Sequence, residues 1–230
     1  MTAVFEPLAD DALLLRLGSV IEPIHNTRAL AVAQRLRELQ PPWLRDVVPA
    51  YASLAVFFDC DRIDDADPHA FVVAALRSCM DASMDRGEAS ASTVDIPVCY
   101  DCSMAPDLAE AAQELGLDIE ELIHRHCAAE YTVAMIGFAP GFPYLLGLPE
   151  SLALPRLATP RTRVPAGSVA IGGSQAGIYP RESPGGWRLL GRTPLALFDP
   201  ARAAPSLLAP GDRVRFQRID RATFDRLQAS

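Results

Sequence analysis

The sequence predicts an α+β protein: a small N-terminal unit of alternating strands and helices, followed by a larger β unit built as a barrel or sandwich. Three observations lead there. Early in the chain, short apolar runs alternate with stretches of helical period. The segment Asp85-Arg-Gly-Glu-Ala-Ser-Ala-Ser92 has no large apolar side chain and reads as a linker, dividing the chain into 1–88 and 89–230. After Ile136 the apolar runs shorten and Gly or Pro separates them, the pattern of many short strands joined by specified turns.

The elements follow in order. Leu13 to Leu17 is a short apolar run that reads as a strand. From Thr27 to Leu39 the residues Leu30, Ala33, Leu36 and Leu39 recur at helical spacing, and Pro41-Pro42 stops the helix. Val47 to Phe58, rich in Val, Tyr and Phe, reads as extended chain. Asp67-Pro68 supplies an N-cap and a proline at the first helical position, opening a helix whose buried stripe is Phe71, Val72, Ala75, Leu76 and Cys79. Beyond the linker, Thr93 to Val98 begins a strand. Asp118 starts a helix with Glu121 placed to complete a capping box, and Glu130 to Ile136 is the next strand. The later strands are Ser168–Ile171, Trp187–Leu190, Leu195–Phe198 and Val214–Phe216.

Residues 137–200 differ from the rest. They hold 10 of the 14 Gly and 10 of the 20 Pro, which means many fixed turns, yet they also carry apolar side chains that need burial, so they are not a flexible linker. They contain six Arg against three acids, a local excess of +3 that leaves −11 for the rest of a chain whose net charge is −8. Such a patch suits a small anionic ligand or an acidic partner surface. The overall acidity argues against general nucleic-acid binding. No apolar run approaches the ~20 residues that cross a bilayer, and the N-terminal stretch is acidic where a secretory signal is basic, so a cytoplasmic protein without a membrane partner is expected.

All 21 basic residues are Arg. Without Lys, Schiff-base catalysis, a Walker-type phosphate loop and a Ser-Ser-Lys amidase site are excluded. The five cysteines are an odd number, and reduced thiols are expected. Cys99 and Cys102 have CxxC spacing but no second pair, so no metal site is expected.

Candidate chemistry concentrates in and beside the Gly/Pro-rich stretch. His126, near a helix end, is placed either as a general base or as a partner of the helix dipole; His124, two residues away, faces elsewhere, and His25 and His69 read as surface residues. In Gly137-Phe-Ala-Pro-Gly-Phe-Pro-Tyr144, the aromatics Phe138, Phe142 and Tyr144 alternate with Pro140 and Gly141, which suits either a pocket wall or a packed barrel corner. Arg156, Arg161 and Arg163 are spaced by prolines, and a guanidinium of this cluster can clamp a carboxylate or phosphate. Gly172–Gly177 and Ser183-Pro-Gly-Gly-Trp187 are rich in backbone donors for an anion. The first is not a nucleophile elbow, because its Gly-x-Ser-x-Gly pattern is broken at Ala176.

The ordered series GFAPGFPYL, PRLATPR, VPAGSVAI, GIYP, SPGGW and GRTP resembles the signature of the bacterial 5-oxoprolinase B-subunit family, also labelled allophanate hydrolase subunit 1 and related to a sporulation-kinase inhibitor. The segments VVPAYASLAVFFD, IPVCYD and HCAAEYTV extend the resemblance over nearly the whole chain. It implies a small α/β N-terminal domain followed by a cyclophilin-like β-barrel. It also implies a heteromer with the C- and A-subunits of the enzyme, the full set converting 5-oxo-L-proline to L-glutamate with ATP, Mg²⁺ entering only as the partner of ATP. By family position the matching residues include Tyr131, His126, Arg156 and Arg161, the last three taken as catalytic. Phe138, Pro140, Gly141, Phe142, Tyr144, Ser168, Tyr179, Gly185, Gly186, Trp187 and Arg192 are taken as binding a small anionic substrate. Two alternatives accompany this reading: a regulatory protein that inhibits a sensor histidine kinase, and a carboxyltransferase-like subunit that handles amides or urea.

Overall fold

The computed structural model describes residues 3–83 and 92–229; all of the expected linker except Ser92 lies outside them. The chain divides into two compact units, Met1–Ala91 and Ser92–Ser230.

In the first unit, β1 (Val4–Ala9), β2 (Ala12–Arg16), β3 (Leu44–Ala50) and β4 (Ser53–Phe58) form an antiparallel sheet in the order β1-β2-β4-β3. Period-two burial puts Leu13, Leu15, Leu54, Val56 and Phe58 into one cluster with Ala29, Val32, Ala33 and Leu36 of α1 (Pro23–Leu39) and Val72 and Leu76 of α2 (Pro68–Ser83). Pro23 sits at the start of α1, and Gln40, at φ 43°, ends it before the two prolines. The Asp67 carboxylate accepts from the Ala70 amide and opens α2.

Three expectations change here. Val47–Phe58 is a hairpin rather than one extended segment, turning at Tyr51 with φ 27°. Phe71 is 37% exposed, at the edge of the apolar stripe, where it meets Trp43 edge-on at 6.1 Å. His25 is buried, because Gly18 lacks the Cβ that would come within 2.3 Å of its ring.

The second unit is a closed seven-stranded barrel of β5 (Thr93–Cys99), β6 (Tyr131–Ile136), β7 (Pro143–Leu146), β9 (Ser168–Gly172), β10 (Gln175–Ile178), β12 (Arg188–Arg192) and β13 (Arg213–Ile219). Around the barrel the order is β10-β7-β6-β13-β5-β12-β9, and β13 runs parallel to β5. A separate ribbon pairs β8 (Arg161–Val164) with β11 (Ser183–Gly185). Alternation along the strands sorts the side chains. On β9, Val169 and Ile171 join the main core with Ile96, Val98, Val133, Leu145, Val214 and Phe216, whereas Ala170 faces a second cluster on the opposite surface.

Three helices accompany the barrel: α3 (Leu108–Leu115), α4 (Ile119–Ala128) and α5 (Arg221–Gln228). Leu108 and Ala111 of α3 and Leu122 and Ile123 of α4 enter the main core. Asp118 accepts from the Glu121 amide at 2.7 Å, but the Glu121 carboxylate turns to Arg125 at 2.6 Å, so only half of the expected capping box forms. Leu195–Phe198 is not a strand; it contributes the single bridge Phe198↔Ser206. All five cysteines are free, with Cys99 buried and Cys102 exposed.

Candidate functional site

The second cluster, on the outer surface of β9 and β10, is built around Trp187. Its indole lies flat on the sheet because Gly172 and Gly177 have no side chains; a Cβ would come within 2.8 Å and 3.0 Å of the ring, respectively. Phe142 and Tyr144 stand against the indole with ring centres 5.8 Å away in each case. Tyr179 crosses Phe142 at 5.2 Å, and its hydroxyl rests on Gly185, where a Cβ would meet it at 2.3 Å. Burial raises the Tyr179 pKa, and a hydrogen bond from the Trp187 backbone partly offsets that.

Phe138 completes the rim. It occupies the turn between β6 and β7 at φ 67°, a left-handed conformation that costs a non-glycine residue about 1–2 kcal/mol. The turn nevertheless holds it there, 60% exposed, with its ring edge on Phe142 at 5.3 Å and on Tyr179 at 6.2 Å.

These rings enclose a cavity of about 180 Å³, also lined by Arg156, Leu157, Pro160, Gly185 and Gly186. The Arg156 guanidinium stands 5.6 Å from the centre of the Trp187 ring. It makes no ion pair among the described residues, whereas Arg161, Arg163 and Arg188 all do. The pocket therefore offers a flat apolar slot and, in Arg156, a cation without an ion pair among the described residues.

Several expected site residues stand elsewhere. Arg161 is committed to Asp107, at 2.5 Å. Gly141, at φ 79°, approaches the Leu197 carbonyl and the Phe198 Cβ rather than the cavity, and its neighbour Pro140 is exposed outside the lining. Ser168 is 1% exposed, and its carbonyl accepts from the Tyr179 amide at 2.9 Å. Arg192 donates to the Ala166 carbonyl at 2.7 Å and covers the Phe224 ring. A larger open groove of about 610 Å³ runs along α3 and α4, but its acids have other tasks: Asp118 caps α4 and Glu120 binds Arg218.

His126 is wholly buried, stacked on Phe216 with centroids 4.6 Å apart. Its Nδ1 shares a 2.8 Å hydrogen bond with the Tyr100 hydroxyl, which also contacts the Cys127 thiol at 3.4 Å. The Tyr131 hydroxyl donates to the His126 carbonyl at 3.0 Å. Burial lowers the imidazole pKa to about 3 and raises those of Tyr100 and Tyr131. A neutral imidazole in this cluster supports the core and does not line the cavity.

Leu157, Pro160 and Asp107 also stand at or beside the pocket without having been expected there. Leu157 and Pro160 carry no chemistry and gave no signal. Asp107 is 2% exposed and gave one readable sign, an acid just before the Ala-rich helix that follows it.

Residues 3–208 match the family described as "Carboxyltransferase domain, subdomain C and D", which defines the chain as a carboxyltransferase C/D-domain protein. The urea carboxylase of Kluyveromyces lactis shares that fold, with a TM-score of 0.71 at 18% identity, over 97% of this chain and 22% of that one. The crystal structure of TTHA0988 has a TM-score of 0.79 at 42% identity and covers 91% of this chain; the match spans only 40% of TTHA0988. The 5-oxoprolinase B-subunit of Bacillus subtilis (strain 168) is 40% identical over 225 residues, 95% of this chain and 94% of that one. The chain belongs to the 5-oxoprolinase B-subunit family.

Proposed function

We propose that this chain is the substrate-receiving component of an ATP-dependent 5-oxoprolinase, working with the C- and A-subunits to convert 5-oxo-L-proline to L-glutamate. The observation that carries the reading is Arg156, an unpaired cation stacked on Trp187 at the mouth of a cavity of about 180 Å³. The substrate is a small five-membered lactam with one carboxylate. Its ring suits the slot between Phe142, Tyr144, Tyr179 and Trp187, and its carboxylate suits Arg156.

An unactivated lactam resists water. Transfer of the γ-phosphoryl group of ATP to the lactam oxygen releases ADP and leaves an activated imidate phosphate. Water adds to that carbon, the ring C–N bond breaks as the protonated nitrogen leaves, and a second water releases phosphate from the resulting γ-glutamyl phosphate to give glutamate. This chain contributes the orientation of the ring in that sequence, while ATP and its Mg²⁺ are handled at the level of the complex. The chain has no Lys for a Walker loop.

Reconstitution tests the proposal. The purified chain alone is expected to turn over no 5-oxo-L-proline, and adding the A- and C-subunits to give ATP-dependent glutamate release. Absence of release from the complete set would overturn it.

A further inference from the structure

Arg156 and Trp187 lie on two different loops, and the cavity exists only while those loops keep their spacing. Arg156 belongs to the strap 155–161, and Trp187 to the segment 185–189. Three contacts join them directly or through α3. The Leu157 amide donates to the Gly186 carbonyl at 2.7 Å, and Arg161 pairs with Gly185 between β8 and β11. Arg188, 7% exposed, donates through Nε to the Pro155 carbonyl at 3.2 Å and through Nη2 to Glu114 of α3 at 3.0 Å.

Asp107 gathers both loops in one carboxylate. Its Oδ1 accepts from Arg161 Nη2 at 2.5 Å, and its Oδ2 accepts from the Leu189 amide at 2.7 Å. Its own amide donates to the Leu189 carbonyl at 3.2 Å. Asp107 stands at the N-cap of α3, where an aspartate ordinarily bonds the free amides of the first turn. It makes no such bond, because the carboxylate is turned away from its own helix and toward the two loops. The helix forgoes a standard stabilising contact, and Asp107 is 2% exposed with both carboxylate oxygens engaged. A buried charge in that position is held by its partners and in turn holds them.

We propose that Asp107 is a positioning residue for the pocket: through Arg161 and the Leu189 amide it sets the distance between Arg156 and Trp187. It touches neither cavity nor ligand, and the inference about affinity rests on the function proposed above.

The test uses the full chain labelled with 5-fluorotryptophan, whose two tryptophans give two ¹⁹F resonances, Trp43 in the other unit serving as the internal control. Asp107→Asn keeps an acceptor for the Leu189 amide and loses the charge facing Arg161, Arg161→Gln loses the charge from the other side, and Asp107→Ala loses both bonds. Each is expected to shift and broaden the Trp187 resonance, most in Asp107→Ala, while Trp43 stays in place. Each is also expected to weaken 5-oxo-L-proline, titrated against the same resonance, by about tenfold. Ile96→Val, which loosens the β5 core, separates positioning from general destabilisation and is expected to leave both readouts at wild type. A Trp187 resonance unmoved in folded Asp107→Asn and Arg161→Gln overturns the proposal. If Trp187 moves in the variants while the wild-type chain binds no 5-oxo-L-proline, the brace stands and the functional reading falls.

Discussion

Replacing His126 with Phe is expected to remove a large part of this protein's sensitivity to mild acid. In the unfolded chain the imidazole titrates at its ordinary pKa near 6.5, whereas in the folded barrel burial lowers it to about 3. Between those values the unfolded state binds a proton that the folded state refuses. The stability tied to this group is therefore complete above pH 6.5 and is lost as the pH falls toward 3. At about 1.4 kcal/mol per pH unit, the loss between pH 6.5 and 5 is roughly 2 kcal/mol, and the ceiling over the whole window is roughly 5 kcal/mol. Against a typical domain stability of about 5–15 kcal/mol, the loss down to pH 5 is a measurable fraction. Phe conserves the stacking on Phe216, and the Tyr100 hydroxyl keeps its contact with Cys127. Urea unfolding near pH 7 and near pH 5, read by Trp fluorescence, supplies the comparison. The carboxylates whose pKa values are lowered by hydrogen bonds to Ser103 (Asp101), Arg218 (Glu120) and Thr223 (Asp220) are common to both proteins, so their share cancels. The variant is expected to lose about 2 kcal/mol less on acidification. Equal losses in the two proteins would refute the reasoning.

Arg156→Ala removes an exposed, unpaired cation, so the melting temperature is expected to hold while the KM of the reconstituted enzyme for 5-oxo-L-proline rises about tenfold to a hundredfold, the worth of one charged hydrogen bond; an unchanged KM would remove Arg156 from the site. Gly167 has φ 81°, and a Cβ there would lie only 2.2 Å from the Thr193 carbonyl oxygen, so Gly167→Ala is expected to cost about 2 kcal/mol or more in thermal unfolding. A wild-type melting curve would contradict it. Trp187→Ala empties the centre of the aromatic cluster and is expected to destabilise the barrel unit by about 3–5 kcal/mol, with Trp187→Phe costing clearly less in the same denaturant titration.

The fold was readable where local chemistry dictates structure. Asp67-Pro68 and Asp118 announce their helices because a short acidic side chain can satisfy a free amide from a neighbouring position, with no help from the rest of the chain. β5 and β9 were readable from their β-branched residues. The helix α3 was not, because its apolar residues are mostly Ala, and Leu195–Phe198 has a strand's composition without a partner strand to pair with. The aromatics of the pocket announced themselves by being dense between turns. His126 and Arg161 could not be placed by type alone: whether a histidine lines a cavity or stacks on Phe216, and whether an arginine is available or held by Asp107, depends on residues distant in sequence. Arg156 and Arg161 sit in one PRLATPR run, and only the fold separates the available cation from the bound one.

The parallel pairing of β13 with β5 has a consequence for biosynthesis. Arg215 meets Asp95 across 120 residues, and β13 is the strand that lies between β5 and β6 and closes the barrel there. During translation the N-terminal sheet can assemble as soon as β4 has emerged, since all four of its strands lie before residue 59. The barrel must wait. Until β13 leaves the ribosome, Ile96, Val98 and Val133 present an open seam with unpaired edges on both sides, the state in which nascent β proteins are most prone to misassociation. A nascent chain stalled before β13 is thus a vessel missing the last of its seven staves, joined to a finished domain, and it is the form for which a chaperone would have most to do.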